Sequence, residues 1–506
     1  MTGGVLDASA STMPARVDCQ VCVIGSGCAG ATAAWELAAA GRDVVVLEEG
    51  GDYVGEALSM RDGMHDLLYW DRGGRATDDL SISLLHGRAL GGGGVINASD
   101  VVPIPDGVLR CWQRRWGLTE LSPEALAPYR ARALEDLSAN LPPALNENNR
   151  ILERGARALG WRGEVMLHNR RGCIGLGKCL VGCRVGAKRN PRAVAIPAAV
   201  EAGARFFTRA RALRIEGATA PRKIVRVRTL DERGYHERGE SEIRAETVIV
   251  ASSALGSAEL LLRSGLGNRH VGRNVSLQPQ LPVTASFAHE VRSFTGIPQS
   301  YAVTEFETLE DAEHGWWGFR VEPVAGTPGI TASMLPTLGH PGKELMTRYP
   351  RMAAALALVP DGGHGVLTVR RGRAFVEYRM PDEQKQRYRD AAKAAARLWL
   401  AAGAEEVMVP TARPVVVRRE ADLAEIDRLD FSPATTPFVS AHQQGSVRMA
   451  PSERDGATAP SGRLWGTRGI YVFDSAVFPT SASSHIMAPI LTVSRWLARR
   501  LLAEGA

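Results

Sequence analysis

The chain has 506 residues, 45% of them hydrophobic and 23% charged, which exceeds one compact core and excludes both disorder throughout and a collagen-like repeat. Its net charge of +6 is spread over 61 Lys and Arg without a clustered basic stripe, so nucleic acid is not an expected partner. Apolar runs such as Ala193 to Val200 are broken well short of the ~18 residues a spanning helix needs, so no membrane span is expected.

The N-terminus lacks a charged segment followed by a long apolar core, and seven cysteines is a modest, odd number for this length. Cys19, Cys22 and Cys28 lie in or beside an apolar strand-like segment, where the thiol behaves as a small hydrophobe. A reduced, cytoplasmic protein is expected.

Val17 to Ile24 is a short run rich in β-formers, as a buried parallel strand requires. Gly25-Ser26-Gly27-Cys28-Ala29-Gly30 follows at once, and then an Ala-rich helical stretch reaching Gly41. Asp43 to Glu48 reads as a second buried strand ending in an acid. Strand, glycine turn, helix, strand and acid together make a dinucleotide-binding βαβ unit. Gly25 permits the tight turn, Gly27 lets the backbone approach a pyrophosphate, and Gly30 lets helix and strand pack closely. Glu48, 23 positions after Gly25, falls where a carboxylate would hold ribose hydroxyls. No second glycine fingerprint occurs, nor a redox Cys pair just after the first. If the single nucleotide is FAD, its electrons must come directly from a substrate.

Farther along, Pro103 to Gly107 marks an expected boundary. Residues 366–369 and 374–378 flank Arg370-Arg371-Gly372-Arg373 as a hairpin. A helix is expected from about Asp382 to Ala402, then a strand at 406–409. Buried-strand character returns at 469–474. This pattern predicts an α/β fold in which a Rossmann-like unit is interleaved with a second, substrate-facing domain built on an antiparallel sheet with helices. The expected nucleotide-binding segments are 17–110, 195–274 and 441–506, and the expected substrate segments are 111–194 and 275–440.

Several ordered segments resemble the glucose–methanol–choline (GMC) family of FAD-dependent oxidoreductases. His86-Gly87-Arg88-Ala89-Leu90-Gly91-Gly92-Gly93-Gly94-Val95-Ile96-Asn97 is similar to the family's first signature, and Val248 to Leu261 to its second. The run from Gly469 to Thr492, with Asp474, Pro479, His485 and Pro489, resembles its closing segment. The resemblance implies FAD held by Gly25, Gly27, Gly30, Glu48, Arg88, Gly92, Gly93, Asn97, Ala212, Ala251, Asp474 and Ser484. Some members attach FAD through a His just before the loop's Asn; Ile96 stands there, so non-covalent FAD is expected.

The resemblance also singles out two histidines. His442 lies in Ala441-His442-Gln443-Gln444-Gly445-Ser446-Val447-Arg448-Met449, similar to the family's His-x-x-Gly-Thr-x-x-Met stretch. His485 lies in Ser484-His485-Ile486-Met487-Ala488-Pro489, 43 residues later. Oxidising a carbinol requires loss of the hydroxyl proton and transfer of hydride to the flavin. An imidazole with an ordinary pKa near ~6.5 can accept that proton near neutral pH, and a second can orient the hydroxyl and stabilise alkoxide charge. Family precedent leans to His442 as the base, and the reductive rate is expected to rise with pH as that base loses its proton. The expected partners are a small-molecule alcohol and an electron acceptor (oxygen, a quinone or a redox protein). A non-redox or light-driven lyase, or an electron-transfer flavoprotein without its own alcohol, are the rival readings.

Cys173, Cys179 and Cys183 form a Cys/Gly-rich segment resembling one in a subgroup that includes long-chain alcohol oxidases and aminoglycoside-pathway alcohol oxidases. With His168 they offer four possible zinc ligands, but at spacings of no standard zinc pattern, and iron–sulfur ligation lacks a fourth Cys. A packed loop without metal is the expectation.

Overall fold

In the computed structural model, residues 3–9, 13–308, 318–482 and 484–505 are described. The strand Arg16–Ile24, the helix Cys28–Ala39 and the strand Val44–Leu47 form as the apolar pattern predicts. All four residues of Val44–Leu47 are buried, as a parallel strand covered on both faces must be. Gly41 closes the helix with φ +81°, a left-handed conformation that glycine adopts without cost.

Two sheets organise the molecule. The first runs Gly4–Asp7, Arg205–Thr208, Val44–Leu47, Arg16–Ile24, Glu237–Val250, Lys223–Leu230, Ala210–Glu216. Its first five strands are parallel; Lys223–Leu230 runs antiparallel to them, and Ala210–Glu216, antiparallel to that strand, regains their direction. The end of Glu237–Val250 also pairs in parallel with Ile470–Val472, so the C-terminal segment closes the nucleotide-binding sheet.

The second sheet runs Val415–Val417, Glu406–Val409, Gln280–Ser286, Met352–Leu358, Arg320–Pro323, Tyr301–Val303, Gly163–Val165. These neighbours are all antiparallel. The 20-residue helix Asp382–Ala401 packs on it, with Tyr388 donating to the Pro279 carbonyl and Trp399 edge-on to Phe287. The strand Phe438–Ser440 pairs with Gln280 on one side and in parallel with Ile82–Leu84 on the other. That double pairing ties the second sheet to the first third of the chain. The expected hairpin forms as Val366–Arg370 and Arg373–Glu377.

The boundary expected between residues 110 and 111 falls inside a helix, Asp106–Trp116. Pro105 caps that helix and Asp106 occupies its first turn, so the chain beyond the proline-flanked segment is helical across the expected boundary. Trp112 is fully buried and donates from Nε1 to Thr480 Oγ1 at 2.8 Å. The next helix, Pro123–Asp136, packs on the C-terminal helix Met487–Ala503. There Arg495 bridges Glu36 at 2.7 Å and Asp136 at 2.6 Å, all three buried or nearly so. Residues 106–136 thus pack and bond against the C-terminal segment and Glu36.

Candidate active site

The glycine turn is built for close approach. Gly25 has φ +102°, and a Cβ there would lie 2.4 Å from the Ala251 carbonyl oxygen. A Cβ on Gly27, by contrast, meets only the Gly92 Cα at 3.8 Å, which leaves open space beside the helix start. Gly92 has φ +56°, and a Cβ on Gly93 would have no neighbour within 4 Å. A Cβ on Gly92 would lie 2.7 Å from the Gly27 Cα, so these two backbones are in close contact, and the bare backbone of Gly27 and Gly93 borders a gap beside that contact.

That gap continues into a cavity of about 640 Å³ that reaches both histidines. Gly25, Gly27, Glu48, Arg88, Gly92, Gly93, Asn97, Ala212, Ala251, Asp474, His442 and His485 all line it. Gly30 does not: it packs beneath the turn. Ser484 does not either. It is buried and faces Arg320, whose Nη1 donates to its hydroxyl at 3.3 Å, so it belongs to the support of the site.

Glu48 accepts from Ser26 Oγ at 2.6 Å and from the Gly50 amide at 2.8 Å, and burial raises its pKa. Glu49 is held by Arg88 and Arg211, each at 2.9 Å. Asp474 accepts from Ser257 Oγ at 2.5 Å and caps the turn Ser475–Val477 through the Ala476 amide. Burial lifts its pKa to about 6. The glycine cradle and the open backbone would fit an extended dinucleotide, and the same cavity continues to both histidines.

The two imidazoles meet at 4.9 Å between ring centres, inclined by 67°. His442 follows the strand Phe438–Ser440 and is buried. Its Nδ1 lies 2.9 Å from Gln278 Oε1 and 3.2 Å from Gln280 Nε2. Gln278 Oε1 can only accept and Gln280 Nε2 can only donate, so the two contacts call for opposite tautomers; the shorter one favours the proton on Nδ1 and the lone pair on Nε2. Burial, reinforced by His485, pushes the His442 pKa down to about 3. An ionisation of His442 near neutral pH, expected from an ordinary imidazole, is therefore removed by burial.

His485 differs. Its Nε2 lies 2.8 Å from Asp100 Oδ2 and 3.3 Å from Glu322 Oε2. Burial opposes its charged form, but Glu322 and Asp100 outweigh burial and raise its pKa. Sequence reasoning missed both acids. Asp100 sits three residues beyond Asn97, the last residue of the first signature, and Glu322 alternates inward from the second sheet; neither carries a motif of its own.

The Cys-rich segment lies behind the glycine-rich loop. Lys188 Nζ donates to the carbonyls of Val95 (2.9 Å), Asn97 (2.7 Å) and Cys179 (2.9 Å), and Arg170 Nη2 donates to that of Ala98 at 2.5 Å. Burial lowers the Lys188 pKa to about 8. No disulfide joins the seven cysteines, and no group of three or more His, Cys, Asp or Glu among the described residues is placed to hold a metal.

Residues 23–280 match the N-terminal domain of the GMC oxidoreductase family, and residues 372–494 match its C-terminal domain. The chain belongs to the GMC oxidoreductase family. It is 31% identical over 95% of its length to an uncharacterized GMC-type oxidoreductase of Mycobacterium tuberculosis (strain H37Rv), of which it covers 75%. It is 28% identical over 96% of its length to the long-chain-alcohol oxidase FAO4B of Arabidopsis thaliana, covering 68% of that protein. Among solved structures, pyridoxine 4-oxidase from Mesorbium loti superposes with a TM-score of 0.73 at 17% identity, covering 96% of this chain and 99% of that one. The protein is thus an oxidoreductase of the FAD-binding GMC class, and the fold is that of its structural neighbours. Among the described residues, no helix is long and apolar enough to cross a membrane.

Proposed function

We propose that this GMC oxidoreductase oxidises the CH–OH group of an apolar, long-chain alcohol to the corresponding carbonyl, with FAD bound non-covalently. The observation that carries this reading is the histidine pair on the wall of the same cavity that begins at the Gly25–Gly30 turn. Bound there, the flavin would accept the hydride as the carbinol C–H bond breaks. The chain's part is to receive the hydroxyl proton on one imidazole and to hold the oxygen with the other, so that O–H and C–H are lost together and C=O forms.

Two features support the finer points. Toward the second sheet the cavity is lined by Pro282, Val324, Ala325, Leu335, Leu356 and Val439. Gln280, Thr284, Thr331 and Ser333 also line this part, so the wall is mixed, and its apolar share gives room for an alkyl chain. Ile96, also on the wall, offers no nucleophile for attachment to the cofactor. The long-chain-alcohol oxidases among the relatives are in keeping with this choice.

Anaerobic flavin reduction is the test. Primary alcohols of increasing chain length should bleach the flavin, with apparent affinity improving as methylenes are added, each contributing at most ~0.8 kcal/mol. Reduction by sugars or amino sugars in preference to alkanols would overturn the substrate class. Reduction by no alcohol would overturn the activity.

A further inference from the structure

We infer that Asp100 and Glu322 are positioning residues that clamp His485 as a permanent imidazolium opposite a neutral His442, so that the two histidines have fixed and different tasks. The inference rests on the proposed alcohol oxidation for its kinetic meaning, though not for its geometry.

The clamp is assembled from both halves of the molecule. Asp100 follows the glycine-rich loop, on the short strand Asp100–Val101 that pairs with Leu167–His168. Glu322 comes from Arg320–Pro323 in the second sheet. Their oxygens reach the same nitrogen, at 2.8 and 3.3 Å, and all three side chains are at least nine-tenths buried. Two carboxylates that close together repel unless a proton stands between them and carries its charge. The Nε2–H of an imidazolium supplies both.

The surrounding groups hold this arrangement. Gln299 Nε2 donates to Glu322 Oε2 at 2.6 Å, and Arg320 Nε pairs with Glu322 Oε1 at 2.9 Å. Arg320 also meets Glu307 at 3.5 Å and Glu164 at 3.4 Å. Burial raises the Glu307 pKa, favouring its neutral form. His168, whose Nε2 lies 2.7 Å from the Gln299 carbonyl, is pushed to about 4 by burial and by Arg170, so it contributes no charge near neutral pH. His442 is neutral for the reason given above. Among the imidazoles gathered here, the charge rests on His485.

One further observation gives the clamp a purpose. His485 Nδ1 and Asp100 Oδ1 are buried without a hydrogen-bond partner among the described residues, and both side chains line the cavity. An imidazolium held at Nε2 presents a second N–H at Nδ1, and that donor would otherwise have nothing to bond. His442 presents a lone pair at Nε2. A single alcohol then meets a proton acceptor and a fixed positive charge: its hydroxyl proton passes to His442 Nε2, and the oxygen that keeps the bond pair is stabilised by the imidazolium charge of His485. Once the C–H bond has also given up its hydride, to a flavin held in the cavity as the proposed oxidation requires, the carbonyl is formed, His442 carries the extra proton and His485 is unchanged.

The test uses the FAD-loaded enzyme with histidine ring carbons labelled, and the variants Asp100→Asn, Glu322→Gln and Asp100→Glu. In wild type, His485 should stay protonated through neutral pH. In Asp100→Asn and Glu322→Gln its NMR titration midpoint should fall by about 1–3 pH units. Asp100→Glu should restore it. In parallel, flavin reduction by an alcohol should be level with pH in wild type until His485 deprotonates, and in Asp100→Asn that decline should move to lower pH by the same interval. An unaltered His485 titration in both neutralising variants overturns the inference, and so does a wild-type His485 that titrates as an ordinary imidazole. If no alcohol reduces the wild-type flavin, the functional reading falls, while the NMR titration still decides the charge of His485. Should Asp100→Asn not fold, Glu322→Gln carries the same measurement.

Discussion

Gly30 lies directly beneath Gly25: a Cβ on Gly30 would sit 1.9 Å from the Gly25 carbonyl oxygen, whereas one on Gly27 would meet no atom closer than 3.8 Å. The fingerprint glycines therefore serve different ends, the third holding the fold together and the second keeping a place clear. Gly30→Ala should lower thermal stability with or without FAD, by about 1–3 kcal/mol, as overpacking of a tight contact does. Gly27→Ala should leave the apoprotein's melting temperature near wild type and weaken FAD binding by at least tenfold. Calorimetry of the apoproteins and FAD titration by fluorescence separate the two; equal apoprotein destabilisation by both changes would refute the distinction.

The histidine pair should matter to chemistry and little to cofactor retention, because the polar partners of the two imidazoles among the described residues do not include the glycine cradle or Glu48. His442→Ala and His485→Ala should each slow flavin reduction by about 10²–10⁴-fold. The double variant should lose less than the product of the two, since both residues serve one proton transfer. Stopped-flow absorbance under anaerobic conditions measures this, and a near wild-type rate in either variant removes that residue from the mechanism.

Buried histidines also predict an acid-labile fold. His86 and His442 are pushed to about 3 and His168 to about 4, each chiefly by burial. Below pH ~6.5 the unfolded chain binds protons at these rings that the native state refuses. Stability should therefore fall as pH drops from ~6.5, by up to about 1.4 kcal/mol per pH unit for each ring. Asp474 acts in the opposite sense: its carboxyl, raised to about 6, binds its proton more tightly in the fold, so it offsets part of the loss between about pH 6 and 4. Urea unfolding from pH 7 to pH 5 should show a steep decline in wild type and a shallower one in His168→Gln. A midpoint independent of pH over that interval would contradict the neutral, buried rings.

Lys188 and the cysteines beside it make contrasting predictions. Lys188 secures three carbonyls of two loops, so Lys188→Met should loosen the glycine-rich loop and release FAD more readily, at a cost of about 3 kcal/mol or more for a multiply bonded buried cation. Cys179→Ser should keep FAD and most activity. Elemental analysis of the purified protein should find less than one zinc or iron per chain. One tightly held metal per chain would show that the Cys173–Cys183 segment has a different task.

How legible the molecule was in its sequence depended on distance along the chain. The βαβ unit, the hairpin at Arg371-Gly372 and the helix from Asp382 are local, each written in a run of side chains with its own period and stop signal, and each forms close to its expected limits. His442 and His485 were legible because flanking glycines and prolines mark their loops. Asp100 and Glu322 were not, since their importance arises only when two sheets bring them to one imidazole. Ser484 shows the converse: its neighbour lines the cavity, but the turn sends its hydroxyl to Arg320. Which acids reach a buried imidazole is set by topology, and no local pattern encodes it.

The placing of Arg16–Ile24 at the middle of the first sheet has a consequence for biosynthesis. Its parallel neighbours are Val44–Leu47, made at once, and Glu237–Val250, made some two hundred residues later. The last strand of that sheet, Ile470–Val472, emerges only as synthesis nears its end. At roughly 5–20 residues per second, a ribosome leaves one edge of the central strand unpaired for about ten seconds or longer. An apolar parallel strand waiting that long is a template for wrong pairing. Recombinant yield should therefore respond to translation speed and to chaperone supply more than to any change in the stability of the finished enzyme.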